Sequence, residues 1–262
     1  RALMLAQLRS LNFKNVPLSV FKVRLVTTRV ERKTQVGRHG FATLKEMIII
    51  AIDGPAGAGK STIAKALAKN LGLRYLDTGA MYRAVTFAAL ETGILLEDEA
   101  AVAVLAKSCE MSVTEDYVMI NKMDATKAIR GPVVTKAVSL VATNSDVRNE
   151  LRSRQRDWAV QNSGGVIEGR DIGSVVFPDA TLKVYLTASP IVRAKRRVAQ
   201  DGGDVDQIAA EIAERDQRDS TRADSPLTKT TDAVIVDTSD QTIEAVVSHL
   251  KKLVRQANPE SN

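Results

Sequence analysis

The stretch that decides the fold is Met47-Ile-Ile-Ile-Ala-Ile-Asp-Gly54-Pro-Ala-Gly-Ala-Gly-Lys-Ser61, followed by Thr62-Ile-Ala-Lys-Ala-Leu-Ala-Lys69. The apolar, isoleucine-rich run Met47–Ile52 predicts a strand that is buried on both faces. The residues after Ser61 are good helix formers, so the glycine-rich segment lies between a strand and a helix. This order is the context that a phosphate-binding loop requires.

The glycine-rich segment matches the pattern G-x-x-x-x-G-K-[ST] at Gly54, Gly59, Lys60 and Ser61. Glycines let the backbone wrap closely around a triphosphate and present its N–H groups. We expect Lys60 to bridge the β- and γ-phosphates and Ser61 to ligate Mg²⁺, the expected cofactor with ATP. The predicted ATP-binding residues are Gly54, Pro55, Ala56, Gly57, Ala58, Gly59, Lys60, Ser61 and Thr62.

Four further short apolar runs indicate the remaining core strands, with helical stretches between them: Leu73–Leu76, Gly165–Ile167, Leu182–Leu186 and Ala233–Val236. The predicted fold is therefore the α/β P-loop NTPase fold, a five-stranded parallel sheet flanked by helices. Met111–Val113 and Tyr117–Asn121 instead predict a hairpin. Residues of about 105–142 thus form a small α+β insertion.

Composition excludes several classes of protein. The net charge is +6, but residues 1–46 alone carry +8 and residues 47–262 carry −2, so no basic surface for nucleic acid is predicted. No apolar window approaches the length of a membrane span. Cys109 is the single cysteine, which excludes an internal disulfide and fits a reducing, cytoplasmic setting.

Residues 1–46 form a basic extension without helical or strand periodicity, and we expect it to be poorly ordered. Three interpretations stay open. The segment is translated upstream sequence with Met47 as the natural start, a basic targeting segment, or an arm that grips an anionic partner.

Asn121-Lys122-Met123-Asp124 matches the N-K-x-D signature of GTPases. However, no D-x-x-G follows a strand, and the match lies inside the predicted hairpin. Asn-Lys beside Asp is ordinary turn chemistry, so we interpret the motif as a turn.

Three further motifs carry polar and charged residues. Two of them follow predicted strands, and the third lies in a predicted helix: Asp77-Thr-Gly-Ala-Met-Tyr-Arg83, Ile167-Glu-Gly-Arg-Asp-Ile-Gly173 and Glu211-Ile-Ala-Glu-Arg-Asp-Gln-Arg-Asp-Ser-Thr-Arg222. Together with the phosphate loop they resemble the bacterial cytidylate kinase family of nucleoside monophosphate kinases, from about Met47 to the last strand. The resemblance implies transfer of the γ-phosphoryl group of ATP to CMP or dCMP in pyrimidine metabolism. It also implies a kinase core of 47–104 and 143–258, a monophosphate-binding insertion of 105–142 and a short lid of about 189–205. We further expect a monomer.

The same resemblance implies a role for individual side chains. Arg83, Arg170 and Arg222 would clamp the acceptor phosphate, since the guanidinium fork suits phosphate. Arg215 and Asp219 would contact the ribose, and Thr78 and Tyr82 would complete the CMP site. Lid arginines follow the fourth strand; Arg193 and Arg197 are favoured over Arg196 because they share a helical face.

Base recognition is assigned to Asp171, Arg148 and Ser139. Cytosine offers an N4 amino donor and an N3 acceptor, so a carboxylate with a guanidinium selects it over uracil, whose polarity is reversed. The spacing of Ile208, Ile212, Arg215, Asp219 and Arg222 independently predicts one helical face bordering a cleft. The alternatives are another acceptor (UMP, AMP or shikimate) and a P-loop switch or nucleic-acid-dependent ATPase.

Overall fold

A computed structural model describes residues 47–258 of the chain. Its α-helices are α1 Lys60–Leu71, α2 Thr78–Glu91, α3 Glu99–Ser108, α4 Pro132–Val141, α5 Ser145–Gln161, α6 Pro190–Asp201, α7 Val205–Thr221 and α8 Ile243–Ala257. Its strands are β1 Ile48–Asp53, β2 Tyr75–Asp77, β3 Met111–Val113, β4 Val118–Ile120, β5 Met123–Asp124, β6 Gly164–Glu168, β7 Leu182–Thr187 and β8 Val234–Asp237. The expectation of poor order for residues 1–46 lies outside the described residues.

The central sheet has five parallel strands in the order β2-β6-β1-β7-β8. This confirms the predicted fold, and each predicted apolar run becomes a strand whose bounds differ by no more than two residues. β1 and β6 are neighbours, so the segments that follow them leave the same edge of the sheet side by side. That edge is where open α/β sheets bind ligands.

Two apolar cores cover the two faces of the sheet. Alternate residues of β1 enter different cores: Ile49 and Ala51 face the core that contains α2, α3 and α5, whereas Ile50 and Ile52 face the core that contains α1 and α8. Because β1 is buried on both faces, its apolar residues are continuous rather than alternating. The two cores hold the end of β1, and hence the phosphate loop, in place.

The predicted hairpin is confirmed, but it belongs to a three-stranded antiparallel sheet, β3-β4-β5. The third strand, β5, was missed because it is only two residues long. Asn121 and Lys122 join β4 to β5 with φ angles of 49° and 67°, and Ile120 pairs with Met123. Two left-handed residues between paired strands form a type I′ turn, which confirms the interpretation of the N-K-x-D match.

The closing helix α7 buries Ile212 and Asp219, in agreement with the predicted face. The prediction that Arg222 belongs to this helix is wrong: α7 ends at Thr221, and Arg222 has an extended ψ of 144°. Its guanidinium returns to the cleft because its Nε donates to the Ser225 carbonyl at 2.7 Å. Between residues 47 and 258, none of the helices has the length and apolar character needed to cross a membrane.

Candidate active site

The phosphate loop connects β1 to α1 through a tightly constrained turn. Gly54 has a φ of 148°, and a Cβ there would come within 2.0 Å of the Leu186 carbonyl oxygen, so only glycine fits. Helix α1 begins at Lys60 and carries no acidic residue in its first turn, so its positive end faces the loop. The loop thus has the shape and polarity of an anion site.

Lys60 lies buried beneath this loop. Its Nζ donates to the carbonyl oxygens of Gly54 (2.9 Å) and Pro55 (2.8 Å). Burial, followed by the charge of the neighbouring Arg170 guanidinium, lowers the pKa of Lys60 to about 7, against the opposing effect of Glu168. A buried ammonium in this setting gains more from an anionic ligand than one in water does.

A cavity with a volume of about 80 Å³ extends from Lys60 along the carboxyl edge of the sheet. It brings together nearly all the predicted acceptor residues: Thr78, Tyr82, Ser139, Arg148, Arg170, Asp171, Arg215, Asp219 and Arg222. This volume is smaller than the roughly 300 Å³ typical of ligand pockets. Side chains at the cavity must therefore move when a nucleotide enters.

Arg83 is the exception among the predicted acceptor residues. Its Nη1 donates to the Thr135 hydroxyl (2.8 Å) and to the Ile129 carbonyl (3.2 Å), so it faces α4 rather than the cavity. Burial lowers its pKa to about 10, and the charges of Arg197 and Arg170 contribute. Arg83 therefore lies close to the cationic cluster but does not line the cavity in this conformation.

Four arginines and Lys60 line the cavity beside four carboxylates. Burial lowers the pKa of Arg215 to about 9, with further contributions from Arg170 and Arg83. Arg170 pairs with Asp219 through Nε and Oδ2 at 2.9 Å. The buried Nε of Arg215 and Nη2 of Arg222 have no hydrogen-bond partner among the described residues. Unused donors in a site of crowded positive charge indicate that it binds an anion.

The three residues assigned to base recognition lie together at the far end of the cavity. Arg148 is buried, and its Nη2 donates to Asp171 Oδ2 at 2.6 Å. Its Nη1 donates to the Ala142 carbonyl at 3.1 Å, and its guanidinium lies 5.6 Å from the centre of the Tyr82 ring. Ser139 on α4 is buried beside them. A carboxylate and a guanidinium side by side form the donor–acceptor pair that cytosine requires.

Helix α6 lies directly on the phosphate loop, in the predicted lid. Arg193 donates to the Ala56 carbonyl (3.0 Å) and pairs with Asp216, whose other oxygen accepts from the Ala56 N–H at 3.0 Å. Arg196 donates to the Thr238 hydroxyl (2.9 Å) and carbonyl (2.6 Å), whereas Arg197 pairs with Asp201 at 2.7 Å in a partly exposed position. Of the two favoured arginines, Arg193 contacts the loop and Arg197 does not.

Glu168 was quoted within a motif but given no role. It ends β6 as a buried carboxylate that accepts a hydrogen bond from the Tyr75 hydroxyl. Burial and the nearby Asp77 raise its pKa to about 7, while Lys60 opposes that shift. Its position in the sequence could have revealed it. A carboxylate at the carboxyl end of the strand next to β1 lies at the edge of the sheet where ligands bind.

A phosphate loop that faces a cationic acceptor cavity across a buried lysine defines a P-loop phosphotransferase of the nucleoside monophosphate kinase type. The family model described as cytidylate kinase matches residues 50–256. The chain therefore belongs to the cytidylate kinase family.

Relatives agree over most of the chain. The cytidylate kinase of Mycobacterium avium is 48% identical over 218 residues, covering 80% of this chain and 96% of the relative. The cytidylate kinase of Lactiplantibacillus plantarum is 47% identical, with the same coverage. A solved shikimate kinase from Bacteroides thetaiotaomicron aligns with a TM-score of 0.42 at 16% identity, over 79% of this chain and 98% of that chain.

Proposed function

We propose that this cleft transfers the γ-phosphoryl group of ATP to the phosphate of CMP or dCMP, releasing ADP and CDP or dCDP. The observation that carries the proposal is the shared cavity of Lys60, Arg170 and Arg222 with the Arg148–Asp171 pair. A donor-phosphate lysine, acceptor-phosphate arginines and a cytosine-selective pair thus surround one space. Membership of the cytidylate kinase family supports the same reaction.

On the donor side, residues 54–62 hold the triphosphate with backbone N–H groups, and Lys60 bridges the β- and γ-phosphates. Its contacts with two carbonyl oxygens of the loop keep the ammonium group at the loop until phosphate replaces them. Arg193 and Arg197 of the lid stabilise the transferring group. Closure of the lid excludes water, so that the acceptor rather than solvent receives the phosphoryl group.

On the acceptor side, Arg83, Arg170 and Arg222 hold the monophosphate, whose oxygen attacks in line without a covalent enzyme intermediate. Asp219 and Arg215 contact the ribose, and Thr78 and Tyr82 border it. Asp171 accepts from cytosine N4 while Arg148 and Ser139 serve its acceptor atoms. For this to occur Asp219 must share its carboxylate between Arg170 and the ribose, and Arg83 must turn from Thr135 toward the cavity.

Mg²⁺ is proposed to accompany ATP. The residues fit this ion, because Ser61 and Asp77 border one open cavity of about 660 Å³ and offer the hard oxygen donors that Mg²⁺ prefers. Described residues contain no group of three or more carboxylates, histidines or cysteines arranged for a metal, so phosphate oxygens and water would supply most ligands. Bound Mg²⁺ neutralises charge on the β- and γ-phosphates.

The proposal keeps the domain division of a core, an insertion of residues 105–142 and a lid of about 189–205. It takes the enzyme to be a cytoplasmic monomer. The lone thiol of Cys109 is buried and free, which suits a reducing compartment. Mass measurement by light scattering at micromolar concentration tests the monomer, and a dimer would contradict it.

The reaction is tested by an assay that couples ADP release to acceptor identity, with CMP, dCMP, UMP, AMP and shikimate as separate acceptors and Mg²⁺ present. We expect rapid ADP release with CMP or dCMP. Release only with AMP or shikimate would overturn the proposal. Single-stranded or duplex RNA added without a monophosphate should not stimulate ATP turnover, because residues 47–262 are slightly acidic.

A further inference from the structure

Asp53, the last residue of β1, is a buried carboxylate to which no role has yet been given. Its Oδ1 accepts from the N–H of Ile172 at 2.8 Å, and its Oδ2 accepts from the N–H of Gly173 at 2.7 Å. These distances are those of strong, charge-assisted hydrogen bonds. Asp53 thus connects the strand that precedes the phosphate loop to the segment that follows β6.

The two N–H groups belong to the start of the π-helical turn Ile172–Val176. The first N–H groups of any helical turn have no acceptor within it and need one from outside. The residue before the turn, here Asp171, ordinarily supplies that acceptor from its own side chain. The side chain of Asp171 makes no such bond; its carboxylate instead accepts from Arg148.

We propose that Asp53 is a positioning residue for base recognition, because it caps this turn in place of Asp171 and so leaves the Asp171 carboxylate free to face the cytosine. The inference rests on the proposed function and adds a determinant of its specificity. An aspartate at the cap position of a turn can use its side chain to accept hydrogen bonds from the N–H groups of its own turn, and it is then not available to a ligand. Because Asp53 of β1 already accepts from both N–H groups, Asp171 has no such local hydrogen bond to make.

The surrounding backbone makes this support rigid. The Gly169 N–H donates to the Ile52 carbonyl at 3.0 Å, so the β1–β6 pairing continues past the end of β6. Residues on both sides of Arg170 and Asp171 are therefore held by two consecutive residues of β1. The phosphate loop begins at the next residue, Gly54, which places donor and acceptor segments on one support.

The electrostatic cost of Asp53 argues against a purely structural role. Burial raises its pKa from 3.8 to about 6, and the Asp171 charge adds to the shift. Since the folded pKa lies above the unfolded one, the folded protein binds this proton more tightly, and ionisation of Asp53 makes folding less favourable as pH rises from about 4 to about 6. A neutral cap would avoid this cost.

The test is Asp53→Asn, which preserves size and leaves one oxygen acceptor but sets an NH₂ group against the second N–H. We expect kcat/KM for CMP to fall on the order of tenfold to a hundredfold and the preference for CMP over UMP to fall roughly tenfold. A disturbance confined to the adjacent phosphate loop would lower the rates with both acceptors equally. Asp98→Asn is the matched control. Asp98 lies outside the site and caps α3 by accepting a 3.0 Å hydrogen bond from the Ala101 N–H.

Two further variants separate positioning from folding. In Asp53→Asn with Asp171→Asn, the CMP-to-UMP preference should be no lower than with Asp171→Asn alone, because both changes act on one interaction. Asp53→Glu keeps the charge but moves the two carboxylate oxygens away from their positions 2.8 Å and 2.7 Å from the Ile172 and Gly173 nitrogens, and should lower the preference even if Asp53→Asn does not fold.

A lowered melting temperature in Asp53→Asn with an unchanged CMP-to-UMP preference would overturn the inference and leave Asp53 a structural cap. An unchanged preference in a folded Asp53→Glu would overturn it as well. Failure of the unmodified protein to phosphorylate CMP would overturn the proposed function itself, so the two failures are distinguishable.

Discussion

Lys60 combines burial with a positive charge, and its two acceptors are backbone carbonyls of the loop it serves. Its folded pKa of about 7 lies below the ordinary 10.5, so the folded protein holds this proton less tightly than the unfolded chain does. The charge therefore makes folding less favourable at pH values below about 10, and most fully below 7. The lysine is thus expected to serve ligand binding rather than stability.

We predict that Lys60→Met lowers kcat/KM by on the order of a thousandfold, the scale expected when a preorganised charge at the transferring group is lost. The melting temperature at pH 7 should be equal or higher. Lys69→Met, on the exposed side of the same helix, is the control and should leave both quantities unchanged. A parallel loss of stability and activity in Lys60→Met would identify a structural lysine.

Asp171 carries the second prediction at this scale. Asp171→Asn replaces one acceptor oxygen with an NH₂ donor, so the N4 amino donor of cytosine would face another donor. We expect kcat/KM for CMP to fall at least about tenfold more than that for UMP. Steady-state kinetics with both acceptors measure this ratio, and the exposed Asp157→Asn serves as control. Equal losses for CMP and UMP would remove Asp171 from base recognition.

At the scale of secondary-structure elements, the sequence predicts long, regular strands better than short strands and helix ends. Continuous apolar runs bounded by motifs predicted the five core strands, and the pattern is clearest in β1 and β6, which are buried on both faces. The two-residue β5 has no such pattern and depends on its pairing with β4. The chain turns back after α7, where the Leu227 N–H donates to the Asp219 carbonyl at 2.8 Å and Arg222 donates to the Ser225 carbonyl, and helical periodicity does not register this turn.

The candidate site divides in the same way. Residues in motifs, such as Arg170 and Asp171, were assigned a role because the motifs resemble those of the family, and those roles stay predictions. The support from Asp53 to Ile172 spans 119 residues of sequence, and the contact from Asp216 to Ala56 spans 160. Neither pairing leaves a local signal, so both require the folded structure.

Helix α6 carries a prediction that separates its arginines. Arg193 is held by the Ala56 carbonyl and by Asp216, a geometry that uses the guanidinium fork. Arg193→Lys keeps the charge but loses the fork, and we expect kcat to fall at least about tenfold. Arg218→Lys, at an exposed pair with Glu214 on α7, should change kcat little. An unaffected kcat in Arg193→Lys would remove this lid arginine from the transfer step.

At the scale of the whole molecule, the insertion shares an apolar core with the sheet, since Ile120, Ile129 and Val138 are buried in one cluster with Leu76. Lys65 on α1 donates to the Glu115 carbonyl at 3.2 Å, and Arg130 lies 3.4 Å from Asp77. Both contacts involve exposed side chains, which contribute little to stability. The two exposed contacts can open, but displacement of the whole insertion would disrupt the shared core, so a nucleotide is accommodated by local movement of side chains and loops around the cavity.

The acceptor cavity makes such movement necessary, since about 80 Å³ does not admit CMP. Helix α4 supplies Ser139 to this cavity and receives the Arg83 side chain at Thr135, so it should respond to the acceptor nucleotide. We predict that saturating CMP slows amide hydrogen exchange in Pro132–Val141 and in the turn at residues 114–117 by about tenfold, an energy of roughly 1.4 kcal/mol in local opening. ATP alone should slow exchange in the phosphate loop but not in α4. Equal protection of α4 by ATP and CMP would contradict a separate acceptor-driven motion, and unchanged exchange with CMP would place the acceptor elsewhere.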